Sequence, residues 1–195
     1  MPDVKHFDPD QTLERVLRLF WSRGEAATNI GDIVRSTGVN RSSLYNAYGG
    51  KQGLYTAALS RYLDRHSQPA FDRLAADERG IPAVYEFFDE LIRARCVGEY
   101  ARWGCMVTNA HLEAARTEPE IQHLLQEHHR RLSEALRAAL DAAVRKGQTV
   151  SGIDLGSCAE QLALLAYGVN LRSRGGASQE ELRRAVHGAL LAFEL

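Results

Sequence analysis

Residues 28 to 55, TNIGDIVRSTGVNRSSLYNAYGGKQGLY, constrain the fold of this chain more than any other stretch. Their punctuation spells a helix, a tight turn, a second short helix and the start of a third. Thr28 is a good N-cap, so a helix can begin right after it. Ile30, Ile33 and Val34 then share one face at i, i+3 and i+4 spacing. Gly38 ends that helix, because glycine adopts the left-handed conformation without steric cost. Val39 can turn inward and set the angle between helices. Asn40 caps the next helix, over Arg41 to Tyr48, which Gly49 and Gly50 break. Lys51 opens the helix that follows.

The middle helix is too polar to be a core element. Leu44 is its one large aliphatic residue, and Arg41, Ser42, Ser43, Tyr45 and Asn46 leave the rest of its surface able to form hydrogen bonds. Such a surface suits base edges and phosphates. The spacing is that of a helix-turn-helix, whose second helix enters the DNA major groove. Arg41 can pair with guanine and Asn46 with adenine. Thr28, Tyr45 and Lys51 are placed for phosphates, with Asn40, Ser42, Ser43 and Tyr48 completing the expected DNA-facing set. At Lys51, free backbone N–H groups of a helix start add to the ammonium.

Charge supports this locally and not globally. The whole chain carries a formal net charge of −1. Between Gln11 and Arg61, however, seven basic residues face three acidic ones, a net of +4. That local excess is what a DNA-facing domain needs, and the acidic remainder would not be drawn to DNA.

The run from Leu13 to Tyr62 resembles the DNA-binding domain of the TetR family of transcriptional regulators. The matching residues are Leu19, Phe20 and Gly24, Ile30 and Ile33, Gly38 and Val39, Leu44 and Tyr45, and Lys51. Two positions depart from the family pattern. Val34 stands where a small alanine is usual, and Gly50 replaces the usual serine cap. The resemblance implies an all-α fold, a homodimer on a palindromic operator, and a small-molecule effector bound in the remainder of the chain.

Every strong periodic signal is helical, and about nine helices are expected. Asp8-Pro9-Asp10-Gln11 opens the first, with Leu13, Val16, Leu17 and Phe20 inward. Residues 1–50 form the expected helix-turn-helix domain of three helices, 51–66 a connecting helix, and 67–195 an effector-binding and dimerisation domain. In the last, Pro69 to Gly80 reads as a change of direction, followed by helices over 81–97, 105–115, 117–146, 154–174 and 178–195. Capping boxes stand at Thr117-Glu118-Pro119-Glu120 and Ser178-Gln179-Glu180-Glu181.

The last two helices are unusually apolar. Leu162 to Val169, LALLAYGV, is apolar nearly all round, and the final helix carries Leu182, Val186, Leu190 and Phe193 beside small Ala185, Gly188, Ala189 and Ala192. Helices of this kind must bury two faces. They are either internal core or a pair that meets its symmetry mate in a four-helix bundle. The resemblance favours the second, with Leu162–Val169 and Val186–Phe193 at the interface.

The segment WGCMVTNAHLE, residues 103–113, resembles a pattern from a branch of the family in which some members sense electrophiles or oxidants through a cysteine. Cys105 occupies the matching position, at an expected helix start with Arg102 nearby, where a thiolate is favoured. Otherwise it is a small buried hydrophobe. Cys96 and Cys158, the latter on the expected dimer face, should react more slowly. Tyr85, Phe88, Trp103, Cys105, Met106, Asn109, His128 and Tyr167 are the candidate effector-cavity residues, at most half of which should face a cavity. An effector there would act on the recognition helices through the connecting helix.

Other classes leave little trace. There is no G-x-S-x-G, no phosphate-cradling glycine loop and no H-E-x-x-H. A transcriptional activator or a helical enzyme are the alternatives. His111, His123, His128 and His129 lack a metal-ligand spacing, so neither metal nor cofactor is expected. No run of 18 apolar residues suggests a membrane span, and the N-terminus lacks an apolar signal core. Three cysteines without a framework spacing fit free thiols in a reducing cytoplasm.

Overall fold

The computed structural model describes residues 7–113, 118–149 and 152–192, and among these it is all-α. Ten α-helices follow in order: α1 (Pro9–Arg23), α2 (Ile30–Thr37), α3 (Arg41–Tyr48), α4 (Lys51–Tyr62), α5 (Gln68–Ala76), α6 (Ile81–Cys96), α7 (Met106–Ala110), α8 (Pro119–Arg145), α9 (Leu155–Arg174) and α10 (Gln179–Leu190). A π-helical segment, Leu63–Ser67, joins α4 to α5.

Local chemistry explains most boundaries. Asp8 caps α1 through Asp10 and Gln11 N–H groups, with Pro9 at the first helical position. Gly38 ends α2 in the left-handed conformation, φ 74°, and its N–H donates to Val34 O. Ser178 and Glu181 form a reciprocal capping box at α10. Three expectations change. The cap of α2 is Asn29, in a capping box with Asp32, because Thr28 is buried and spends its hydroxyl on Gly24 O at 2.8 Å. The first turn of α8 is capped at Glu118 with no side-chain cap bond, and Thr117 lies outside the described residues. The stretch read as a change of direction contains α5. Pro69 sits in its first turn, where a missing N–H costs nothing, and Phe71 and Leu74 are buried. Polar DRLAADERG hid that helix because only one face is covered.

Two hydrophobic cores result. One joins α1 to α4 around Phe20, Trp21, Leu44, Tyr55 and Tyr62, and it also takes in Cys105, Met106, Val107, Ala110, Ile121 and Leu125 from α7 and the start of α8. The other lies among α5, α6, α8, α9 and α10, around Phe88, Ile92, Leu136, Leu140, Leu162 and Leu190. The N-terminal helices are therefore seated on α7 and α8 rather than hung from α4 alone. Leu190 is fully buried within its own protomer. So is Leu162, at 1% exposure, and Cys158 packs into the same core rather than on an outer face. Phe193 lies outside the described residues. No helix among the described residues is long and apolar enough to cross a membrane.

Candidate functional site

The second helix of the helix-turn-helix, α3, shows one buried residue, Leu44, to the core. Arg41, Ser42, Tyr45 and Asn46 are exposed. Tyr45 is 41% exposed although large and aromatic. The Arg41 guanidinium lies 5.2 Å from the centre of the Tyr45 ring, and its Nη2 donates to the Tyr45 hydroxyl at 3.2 Å. These two side chains form one unit, a cation laid on an aromatic face. Asn40 is committed to structure: its Oδ1 accepts from Ser43 N at 2.8 Å and from Ser42 Oγ at 2.9 Å.

Two expected DNA contacts move inward. Thr28 is fully buried and cannot meet a phosphate. Tyr48 is half-buried against the N-terminal core, and its hydroxyl donates to Pro9 O at 3.5 Å. It clamps the end of α3 to the start of α1. Lys51 stands at the first position of α4, with no side-chain cap ahead of it, so the helix start keeps its free N–H groups. Its ammonium pairs with Glu25 at 2.8 Å.

Behind this domain, between α1, the π-helical segment, α5, α6, α8 and α9, lies a cavity of about 450 Å³. That volume falls in the range of small-molecule sites. Of the eight expected lining residues, Cys105, His128 and Tyr167 do line it. The other five do not. Phe88 and Met106 are buried core side chains, one in each core. Tyr85 faces His187 of α10, with ring centres 5.7 Å apart, on the far side of α6. Trp103 packs edge-on against Trp21 and at a tilt to Tyr100, and its carbonyl accepts from Asn109 Nδ2 at 2.9 Å. Trp103 and Asn109 thus build the turn behind Cys105. Apolar-plus-polar spacing alone does not tell which side of a two-sided helix meets a void.

Cys105 is the N-cap of the five-residue α7 and is 3% exposed. Its Sγ accepts the Tyr62 hydroxyl at 3.3 Å. Arg102, expected beside it, instead bears electrostatically on Cys96, whose thiol burial pushes up and the charges of Arg183 and Arg102 hold down. Burial also governs His128: its pKa falls to about 3, with His111, His129 and Arg95 adding positive charge nearby. His128 is a neutral imidazole whose Nδ1 has no hydrogen-bond partner.

Sequence reasoning missed the most polar wall of the cavity. Arg95 on α6 is 8% exposed. Its Nε donates to Asn170 Oδ1 at 2.6 Å and its Nη2 to the Tyr62 hydroxyl at 2.9 Å. A signal existed: Arg95 continues the buried stripe of Phe88 and Ile92 at helical spacing, and Asn170 continues that of Ala163 and Ala166. A polar residue within an apolar stripe marks either a satisfied core group or a site. Trp21, His66, Phe71 and Phe87 complete much of the lining.

Contacts also link the segment around α7 to both ends of α4. Glu113, past the end of α7, accepts from Glu25 N at 2.8 Å. Its carboxyl is pushed up by burial. Glu25 in turn holds Lys51. Tyr62, bonded to both Arg95 and Cys105, is the last residue of α4.

Comparison with known proteins gives one answer at several levels. The family model described as "Tetracyclin repressor-like, C-terminal domain" matches residues 80–189, more than half of the chain. That described as "Bacterial regulatory proteins, tetR family" matches residues 13–58. The HTH-type transcriptional repressor ComR of Escherichia coli (strain K12) is 28% identical over 178 residues, which cover 91% of this chain and 85% of ComR. Among solved structures, a cysteine mutant of the TetR family transcriptional regulator CifR, complexed with 26-base-pair operator DNA, superposes with a TM-score of 0.85 at 24% identity, covering 99% of both chains. The reduced form of E. coli NemR gives a TM-score of 0.78 at 17% identity, covering 94% of this chain and 96% of NemR.

Proposed function

The chain belongs to the TetR family of bacterial DNA-binding transcriptional regulators, and on that premise we propose that it is a repressor that grips a palindromic operator as a homodimer and releases it when a small molecule enters the cavity. Membership sets aside the helical-enzyme alternative. The observation that carries the proposal is the exposed polar face of α3 around buried Leu44, set in a segment of net charge +4. Arg41 with Tyr45, and Asn46, read the groove; Lys51 and the α4 start hold a phosphate. Residues 1–50 serve as the DNA-binding unit, 51–66 as the connector and 67–195 as the effector and dimer unit, working in the cytoplasm.

For the dimer, the support is an outward apolar stripe. Leu164 is 58% exposed, and Leu171 and Leu191 are each 53% exposed. Gly168 and Gly188 have open space where a Cβ would stand, so a partner helix could approach closely there. This face of α9 and α10 replaces the buried Leu162 and Leu190 as the proposed contact. A two-fold dimer supplies two recognition helices at the fixed spacing that half-sites demand.

Release follows from geometry. Tyr62, the last residue of α4, is bonded to Arg95 and Cys105 of the cavity wall, so a small displacement of α4 changes the distance between the two copies of α3. Cys105 offers a covalent route from within the same wall. The decisive experiment is a gel-shift titration against DNA from the protein's own upstream region at several salt concentrations. Sharp, sequence-specific and salt-dependent binding supports the proposal. Equal affinity for unrelated DNA would sink it.

A further inference from the structure

Arg95 is a buried cation with no anion. It is 8% exposed, and its two hydrogen-bond partners, the Asn170 side-chain Oδ1 and the Tyr62 hydroxyl, are both neutral; its one further contact, the Trp21 ring 5.7 Å away, is neutral too. Among the described residues no carboxylate pairs with it, although sixteen ion pairs form elsewhere, all but one with at least one exposed side chain. Burying an uncompensated guanidinium is costly, and arginine keeps its charge in proteins rather than shedding a proton. Chains seldom keep such a group without a use for it.

The rest of the cavity fits the same partner. Three arginines, Arg73, Arg93 and Arg95, line it against a single carboxylate, Glu90, and Glu90 is already paired with Arg73 at 3.0 Å. His128 adds a second observation: it is buried, lines the cavity, and leaves Nδ1 without a partner. Around these polar points the walls are apolar and aromatic, from Trp21, Phe71, Phe87 and Leu132.

We propose that the cavity takes an anionic effector, a carboxylate with an apolar or aromatic body, seated with its carboxylate on the Arg95 guanidinium and a second polar atom within reach of His128. The proposal rests on the effector-responsive reading above and specifies its chemistry. A planar carboxylate matches the guanidinium fork. A phosphate dianion would bring two charges to a single buried cation. Seating the anion also reaches the DNA-binding half directly, because the same guanidinium holds Tyr62 at the end of α4. A carboxylate that draws Arg95 towards itself loosens that bond.

The test compares isosteric acids and amides on the full chain. The probes are the straight-chain carboxylates from butyrate to dodecanoate, with phenylacetate and 2-naphthylacetate, each beside its carboxamide. Binding is read by thermal shift and by quenching of tryptophan fluorescence, to which Trp21 in the wall contributes. At least one acid should bind tighter than its amide by on the order of tenfold or more, the scale of a charge-assisted bond. Arg95→Met should erase that preference, so that each acid binds no tighter than its amide. Absence of any acid-over-amide preference across the series overturns the proposal, whether or not the variant folds. So does a preference that survives unchanged in Arg95→Met. A gel shift without ligand separates this from the broader reading: if operator binding is specific and the acids are ignored, the anion site alone fails; if operator binding is absent, the regulator reading fails.

Discussion

Single side chains divide the DNA-facing surface into readers and supports. Arg41→Ala should relax specificity at one position per half-site, at a cost of about 1–3 kcal/mol, and it also frees Tyr45 from its stacked partner. Lys51→Ala should instead weaken all sequences alike and flatten the salt slope, because a phosphate contact carries no sequence information. Binding-site selection and salt titration on the two variants check this; indistinguishable specificity profiles would contradict the division of roles. Thr28→Val provides the contrast. It removes a buried hydrogen bond to Gly24 O, so about 1 kcal/mol of stability should go while operator preference stays. His128 gives a pH signature. Its folded pKa, about 3, lies below the ordinary 6.5, so the unfolded chain binds more protons between these values. The stability this neutral imidazole represents is complete above pH 6.5 and is lost as pH falls towards 3. Denaturant unfolding across that window should show a shallower acid limb in His128→Phe, while His66 and His111, whose pKa values burial also lowers, and hydrogen-bonded carboxylates such as Asp77 and Glu127 keep contributing to that limb.

At the scale of elements, the junction of α3 and α4 is the tightest contact that bears on DNA reading. A Cβ on Gly53 would stand 1.7 Å from Tyr48 O, a backbone atom that cannot rotate away. In an ordinary helix, glycine to alanine gains about 1 kcal/mol. Here the clash reverses the sign, since α3 must leave its seat on α4 to make room. Gly53→Ala should lower the melting temperature and lose operator affinity together, by calorimetry and gel shift. Preserved affinity would mean that α3 can slide without cost. The π-helical segment is the complementary soft point. It follows Tyr62 without a break and turns His66 and Ser67 to the cavity. Such bulges are common at functional sites, because they change register without ending the helix.

On the scale of the whole molecule, two protomers must act as one. Leu164→Glu or Leu171→Glu places a charge on the outward face of α9, where the monomer has solvent to receive it. Sedimentation should show a folded monomer with operator binding lost; an intact dimer would move the interface elsewhere. Leu190→Glu would test something different, since that side chain is sealed in its own core and its ionisation would unfold the protomer. The N-terminal helices share one core with α7 and the start of α8, and the proposed anion site would act on α3 through that shared packing.

The helix-turn-helix was legible in residues 28–55 because it is written in local chemistry: caps, a left-handed glycine and one buried leucine in a polar helix. These signals act over a few residues and depend little on what lies beyond. The long helices were legible for the same reason, and α5 was missed where a single buried face gave too few apolar positions. What tertiary structure decided was direction. Thr28 and Tyr48 read as polar surface and are supports; Leu162 and Leu190 read as interface and are core; Arg95 and Asn170 read as ordinary helix and form the charged wall of a cavity. A helix with two apolar faces does not say which face meets its own chain and which a partner. Only the packing of α6, α8 and α9 against one another, contributed by residues far apart in sequence, assigns each face its neighbour.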